Sequence, residues 1–118
     1  MRVFFYLSNC DTCKRIMNTL NLDASVEQID LKKNPLTEDQ LNKLYRYSKS
    51  YEVLFSKRAQ LYKQRGLKDQ TLTEADYRSL LLEHYTFLKR PVLLYDQTLF
   101  VGNSSKVVDA AKSFLNEQ

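Results

Sequence analysis

Val3-Phe4-Phe5-Tyr6-Leu7-Ser8-Asn9-Cys10-Asp11-Thr12-Cys13-Lys14 is the stretch that decides the fold. Val3 to Leu7 is a short apolar and aromatic run, the pattern of a buried strand. A helix follows from about Asp11 to Leu20, with Ile16, Met17 and Leu20 at helical spacing. Asn9 is the expected cap, which places Cys10 in the first turn. The two cysteines therefore stand at a strand-to-helix junction, three positions apart.

Further along, Val26 to Leu31 reads as a second strand, and Asn34-Pro35 as a turn. Thr37-Glu38-Asp39-Gln40 matches a capping box and starts a helix through about Tyr47, with Leu41, Leu44 and Tyr45 on its buried face. Tyr51 to Gly66 is expected to be helical in pieces, with Gly66 as the stop. Thr73 caps another helix carrying Tyr77, Leu80, Leu81 and His84. Val92 to Tyr95 and Leu99 to Val101 form a hairpin across Asp96-Gln97. Val107, Val108, Ala111, Phe114 and Leu115 mark a C-terminal amphipathic helix. The order predicts an α/β fold: one domain over 1–118, with a mixed sheet flanked by helices. A helical insertion from about 35 to 88 separates a βαβ part from a ββα part. A thiol pair after the first strand of such a unit points to the thioredoxin superfamily.

The position has chemical consequences. Thiolate, rather than thiol, is the nucleophile. A helix N-terminus offers unpaired N–H groups and partial positive charge, and Lys14 and Arg15 add cations. Such placement lowers a cysteine pKa from ~8.5 into roughly the 3.5–7.5 range. Cys13 returns toward Cys10 across one helical turn, so it can resolve a mixed disulfide by exchange. Two other readings of the pair stay open: buried inert thiols, or half of a metal site completed by another chain.

Composition narrows the class. The chain has 118 residues, 43% hydrophobic and 27% charged, with two Gly and two Pro, which describes an ordinary globular domain without long linkers. Two cysteines do not make a secreted disulfide framework, and the single histidine, His84, is remote from them in sequence, so no resident metal is expected. Met1 to Leu7 is too short for a secretory leader, and no run spans a bilayer, so a cytoplasmic protein without membrane contact is expected. The net charge is +4, and Lys57, Arg58, Lys63, Arg65 and Lys68 cluster without an acid between them. That cluster suits an oxyanion, nucleic acid or an acidic partner, or a solvated helix face. The tyrosines of the insertion are spaced for packing, so direct nucleic-acid binding is not expected.

Tyr6 with Cys10-Asp11-Thr12-Cys13-Lys14, Ser56-Lys57-Arg58, Leu88-Lys89-Arg90-Pro91 before a strand, and Val101-Gly102 together resemble the arsenate reductase/Spx family. The resemblance runs from about Val3 to Leu115. It implies a thioredoxin-like core, Pro91 as a cis-proline facing the redox site, Cys10 as nucleophile, and Arg58 and Arg90 as holders of an oxyanion. Guanidinium forks suit that task because they match tetrahedral oxyanions and stay charged. It also implies a thiol electron donor, glutathione with glutaredoxin or thioredoxin, and no bound cofactor. Asn9, Lys14 and Pro91 are the expected substrate-binding residues, and the partner is a small oxyanion or a thiol protein. The sequence departs from glutathione-coupled arsenate reductases in two places: Val101-Gly102-Asn103-Ser104-Ser105 contains no arginine, and Cys13 is present. Both departures approach the Spx branch, in which a cysteine pair switches binding to RNA polymerase. Ser50 stands where that branch carries a glycine.

Overall fold

The computed structural model describes residues 1–118. They form two compact units, one comprising Met1–Asn34 and Arg90–Gln118, the other Pro35–Lys89.

In the first unit the strands are β1 (Arg2–Tyr6), β2 (Glu27–Asp30), β3 (Val92–Tyr95) and β4 (Thr98–Val101), and the helices are α1 (Asp11–Leu20) and a C-terminal helix, Ser105–Asn116. The sheet order is β2-β1-β3-β4. β1 runs parallel to β2, joined through α1, and antiparallel to β3, while β3 and β4 make the expected hairpin. This is the predicted mixed sheet of a thioredoxin-like fold.

Alternation along the strands explains the packing. Phe4 pairs with Leu93, and Leu93 with Phe100, so these three side chains share one face. Ile16 and Leu20 of α1 and Ala111 of the C-terminal helix join them in a single apolar cluster. Val3, Phe5, Val92 and Leu94 belong to the opposite face and are equally buried. A β1 buried on both faces is why its sequence is an unbroken apolar run rather than an alternating one.

The second unit holds α2 (Glu38–Ser48), α3 (Tyr51–Leu54), α4 (Gln60–Gln64) and α5 (Glu74–Glu83), with the C-terminal helix of the first unit counted as α6. Thr37 and Gln40 form the predicted capping box, and Thr73 forms another with Asp76. Gly66 ends the α4 segment at φ 64°, a left-handed conformation that glycine adopts without steric cost. Phe55 is the hub of this unit: its ring lies 5.1 Å from Phe87 and 4.9 Å from Tyr77. The Ser56 N–H donates to the Phe87 carbonyl and the Lys89 N–H to the Leu54 carbonyl, so the segment after α3 pairs with the segment before residue 90. Tyr45 differs from expectation. It is 37% exposed and stacks on Tyr51 at 4.2 Å, because α2 buries only the narrow stripe of Leu41 and Leu44. His84 ends α5, and its Nδ1 accepts the Thr86 N–H at 3.1 Å. No helix is long and apolar enough to cross a membrane.

Phe4 fills the centre of the α1-facing cluster. Phe4→Ala is expected to lower the unfolding free energy by about 3–5 kcal/mol, read as a reduced urea midpoint at unchanged slope. A loss within the range of ordinary surface substitutions would show that this face is not the core of the unit.

Candidate functional site

β1 ends at Tyr6, and Leu7 begins a tight turn closed by the Cys10 N–H donating to the Leu7 carbonyl at 3.1 Å. The helix then starts at Asp11, with a different cap from the one expected. Cys10 itself is the cap: its backbone is extended (φ −107°, ψ 109°), and its Sγ accepts the Cys13 N–H at 3.4 Å. Asn9 lies one residue outside, exposed in the turn. The reason is geometric: the three-residue offset that places Cys13 one turn along also points its N–H at the residue where the helix begins.

The two thiols occupy contrasting surroundings. Neither is in a disulfide; Cys10 is half-buried and Cys13 is buried. Burial pushes the Cys13 thiol up to about 11, with contributions from the neighbouring Cys10 sulfur, against opposing effects of the Leu7 backbone and the Arg90 charge. Cys13 is therefore held as a neutral thiol, and Cys10 is the member of the pair that solvent reaches.

Lys14 is exposed on the first turn of α1. Arg90 is half-buried, and its bond to Pro91 is cis, as the resemblance implied. Pro91 is buried beside Phe4, Ile16, Leu20 and Gly102, and its carbonyl accepts the Gly102 N–H at 2.9 Å. Cys10, Cys13, Lys14, Arg90 and Pro91 thus all belong to the first unit. Arg58 belongs to the second, exposed in the turn between α3 and α4. The basic run around it is partly neutralised: Lys57 pairs with Glu52 at 2.7 Å and Arg65 with Glu83 at 2.6 Å. Those acids come from outside the run, so the sequence window could not show them. No three His, Cys, Asp or Glu side chains converge in a way that could hold a metal ion.

Asp30 belongs to no motif of the sequence, yet the fold buries it. It is the one charged residue in the interior, 6% exposed, at the end of β2 beside Tyr6. Its Oδ1 accepts the N–H groups of Ser8 and Lys32, each at 3.2 Å. Hydrogen bonding by Ser8 holds its carboxyl below the usual carboxylate range, against the opposing effect of burial. The signal was an acid between two buried apolar residues, Ile29 and Leu31.

Residues 5–111 match the model of the ArsC family. The chain belongs to that family. Among solved structures, an arsenate reductase from Vibrio cholerae is similar with a TM-score of 0.75 and 16% identity, covering 95% of this chain and 95% of its own. An arsenate reductase (ArsC) related protein from Brucella melitensis gives 0.69 and 24%, over 92% of each chain. SACOL0876 from Staphylococcus aureus gives 0.72 and 22%, over 93% of this chain and 97% of its own. At these identities the likeness establishes the fold. No curated protein matches the chain in sequence. For an ArsC-family chain the resemblance drawn from Cys10–Lys14 and Leu88–Pro91 is thus correct at family level, and so is the thioredoxin-like α/β architecture.

The contrast between the thiols is measurable. Iodoacetamide at about pH 8 is expected to label Cys10 and spare Cys13 in the folded protein, by peptide mass mapping. Equal labelling of both would contradict the burial. The raised Cys13 thiol also has a linkage consequence. Its folded value of about 11 exceeds the ordinary 9.0, so its contribution to stability is complete below pH 9.0 and is lost as pH rises toward 11. Cys13→Ala is expected to remove that component from a pH series of urea midpoints.

Proposed function

We propose that this protein is a thiol-disulfide oxidoreductase in which Cys10 is the nucleophile and Cys13 the resolving thiol, acting on a small oxyanion or a disulfide. The observation that carries the reading is the division between the two sulfurs. Cys10 is reachable and sits at a helix N-terminus, where N–H groups and the helix dipole favour an anion. Cys13 is buried one turn away and stays protonated until it is needed.

With a disulfide substrate, the Cys10 thiolate attacks one sulfur and the other leaves as a thiolate. Cys13 then loses its proton and attacks the Cys10 sulfur. The second substrate thiolate departs, and a Cys10–Cys13 disulfide remains. Two electrons have passed from the pair to the substrate. A thiol donor, glutathione with glutaredoxin or thioredoxin, returns them, which suits a cytoplasmic protein. With an oxyanion, the Cys10 thiolate bonds to the central atom as one oxygen leaves as water; Cys13 then attacks the Cys10 sulfur, so the same disulfide forms and the central atom departs reduced by two electrons. Arg90 supports that version as a half-buried guanidinium beside Pro91, in the same unit as both cysteines. Arg58 receives its oxyanion-holding role from the family resemblance alone. Asn9, Lys14 and Pro91 are assigned to the substrate side on their places in the turn, on the first turn of α1 and beside Arg90.

A second reading rests on the presence of Cys13 and the absence of arginine from Val101 to Ser105. In it, the Cys10–Cys13 state governs binding to RNA polymerase in the manner of the Spx branch. Capture of polymerase in one redox state only, without turnover, would favour that reading.

The deciding measurement is arsenate-dependent oxidation of NADPH coupled to glutaredoxin or thioredoxin. Wild type is expected to turn over with one donor. Cys10→Ser should abolish activity, and Arg90→Ala should lower kcat/KM by about ten- to a hundredfold, the effect of losing a charge-assisted contact. Absence of turnover with either donor, on arsenate and on a disulfide substrate, would sink the enzyme reading.

A further inference from the structure

Asp30 combines two features that stability alone does not explain. It is the only buried charged residue, and its Oδ2 is shielded from solvent without a hydrogen-bond donor. Burying a carboxylate with one unsatisfied oxygen costs free energy that an apolar residue in the same place would not incur. Buried polar groups of this kind call for a reason other than packing.

The other oxygen supplies one. Oδ1 takes the Ser8 N–H from the exit of β1 and the Lys32 N–H from the exit of β2, so a single atom ties together the two turns at this edge of the sheet. The backbone reinforces the tie: the Leu31 N–H donates to the Tyr6 carbonyl at 2.9 Å, and the Asp30 carbonyl accepts the Lys33 and Asn34 N–H groups. Ser8 lies inside the turn that the Cys10 N–H closes on Leu7. That turn bears on both thiols, since Cys10 is its last residue and the Cys10 Sγ accepts the Cys13 N–H at 3.4 Å. The path from Asp30 to the pair is therefore short: Oδ1, the Ser8 amide, the Leu7–Cys10 turn, and the two sulfurs.

We infer that Asp30 is a positioning residue for the thiol pair, fixing the Leu7–Cys10 turn so that Cys13 reaches the Cys10 sulfur and closes the disulfide. The inference rests on the reading of Cys10 as nucleophile and Cys13 as resolving thiol. It assigns Asp30 no proton transfer and no contact with substrate. Its effect belongs to the intramolecular step, where a small misplacement of reacting atoms is costly.

The test separates that step from the one before it. The reduced full-length protein is mixed with the aromatic disulfide DTNB in a stopped-flow instrument. The Cys10 thiolate attacks one DTNB sulfur and expels one thionitrobenzoate; Cys13 then attacks the Cys10 sulfur and expels the second. Wild type should release about two equivalents in two phases. In Asp30→Ala the first, bimolecular phase should change little, while the second slows by about tenfold or more. Asp30→Asn keeps the Oδ1 acceptor and should restore the second phase. A general loosening of the fold would instead speed the first phase by exposing the thiols, and Asn would give no selective rescue. If circular dichroism shows Asp30→Ala unfolded, Asp30→Glu, which displaces the acceptor by one methylene, takes its place with the same expectation. A folded variant that closes its disulfide as fast as wild type overturns the inference. A wild type that releases only one equivalent overturns the resolving role of Cys13 instead, so the two failures are distinguishable.

Discussion

Val3, Phe4 and Phe5 expose none of their surface, so both faces of β1 are committed to packing. A shift of one residue in the pairing of β1 would exchange Phe4 and Phe5 between faces, against different neighbours on β2 and β3. The strand therefore ends at a fixed point, and the residues after Tyr6 begin from a rigid edge. Leu7 to Cys10 has room for one tight turn before α1 must start, because Ile16 and Leu20 have to reach the Phe4 side of the sheet. The location of the thiols follows from this apolar packing, although neither sulfur drives it.

Within that frame the chemistry is a matter of contrast. Cys10 and Cys13 are the same functional group three residues apart. One caps a helix at the surface and accepts an N–H, while the other is buried on the helix face that meets the sheet. Burial penalises a thiolate, and a helix N-terminus favours one. Arg90 and Pro91, joined by a cis bond, lead into β3 within the same unit as the pair. The second unit follows a separate logic, with helices held by paired capping boxes and by rings gathered on Phe55.

Much of this was legible in the residues. Thr37 to Gln40 announced a helix start because the box is local: both hydrogen bonds form within four residues. The strands were legible because apolar runs bounded by turns are local too. Tyr45 is exposed although its spacing fits the buried stripe of α2, because what decides its exposure is whether another element lies over it. The cap is Cys10, one position after Asn9, because both residues stand at the boundary and only the backbone angles of Cys10 identify it. The Phe55–Leu88 bridge joins residues far apart in sequence, so no local pattern could reveal it.

The sequence by itself determined the order of elements, the strand-to-helix placement of the cysteine pair, and the family to which the chain belongs. These depend on periodicity, capping chemistry and short motifs, all of which act over a few residues. Tertiary structure alone decided which thiol is buried, which acids neutralise Lys57 and Arg65, and that Asp30 bridges the exits of β1 and β2. Those outcomes depend on residues brought together across the sheet or between helices. Burial and long-range hydrogen bonds are properties of the neighbours a side chain acquires on folding, and spacing along the chain does not encode them.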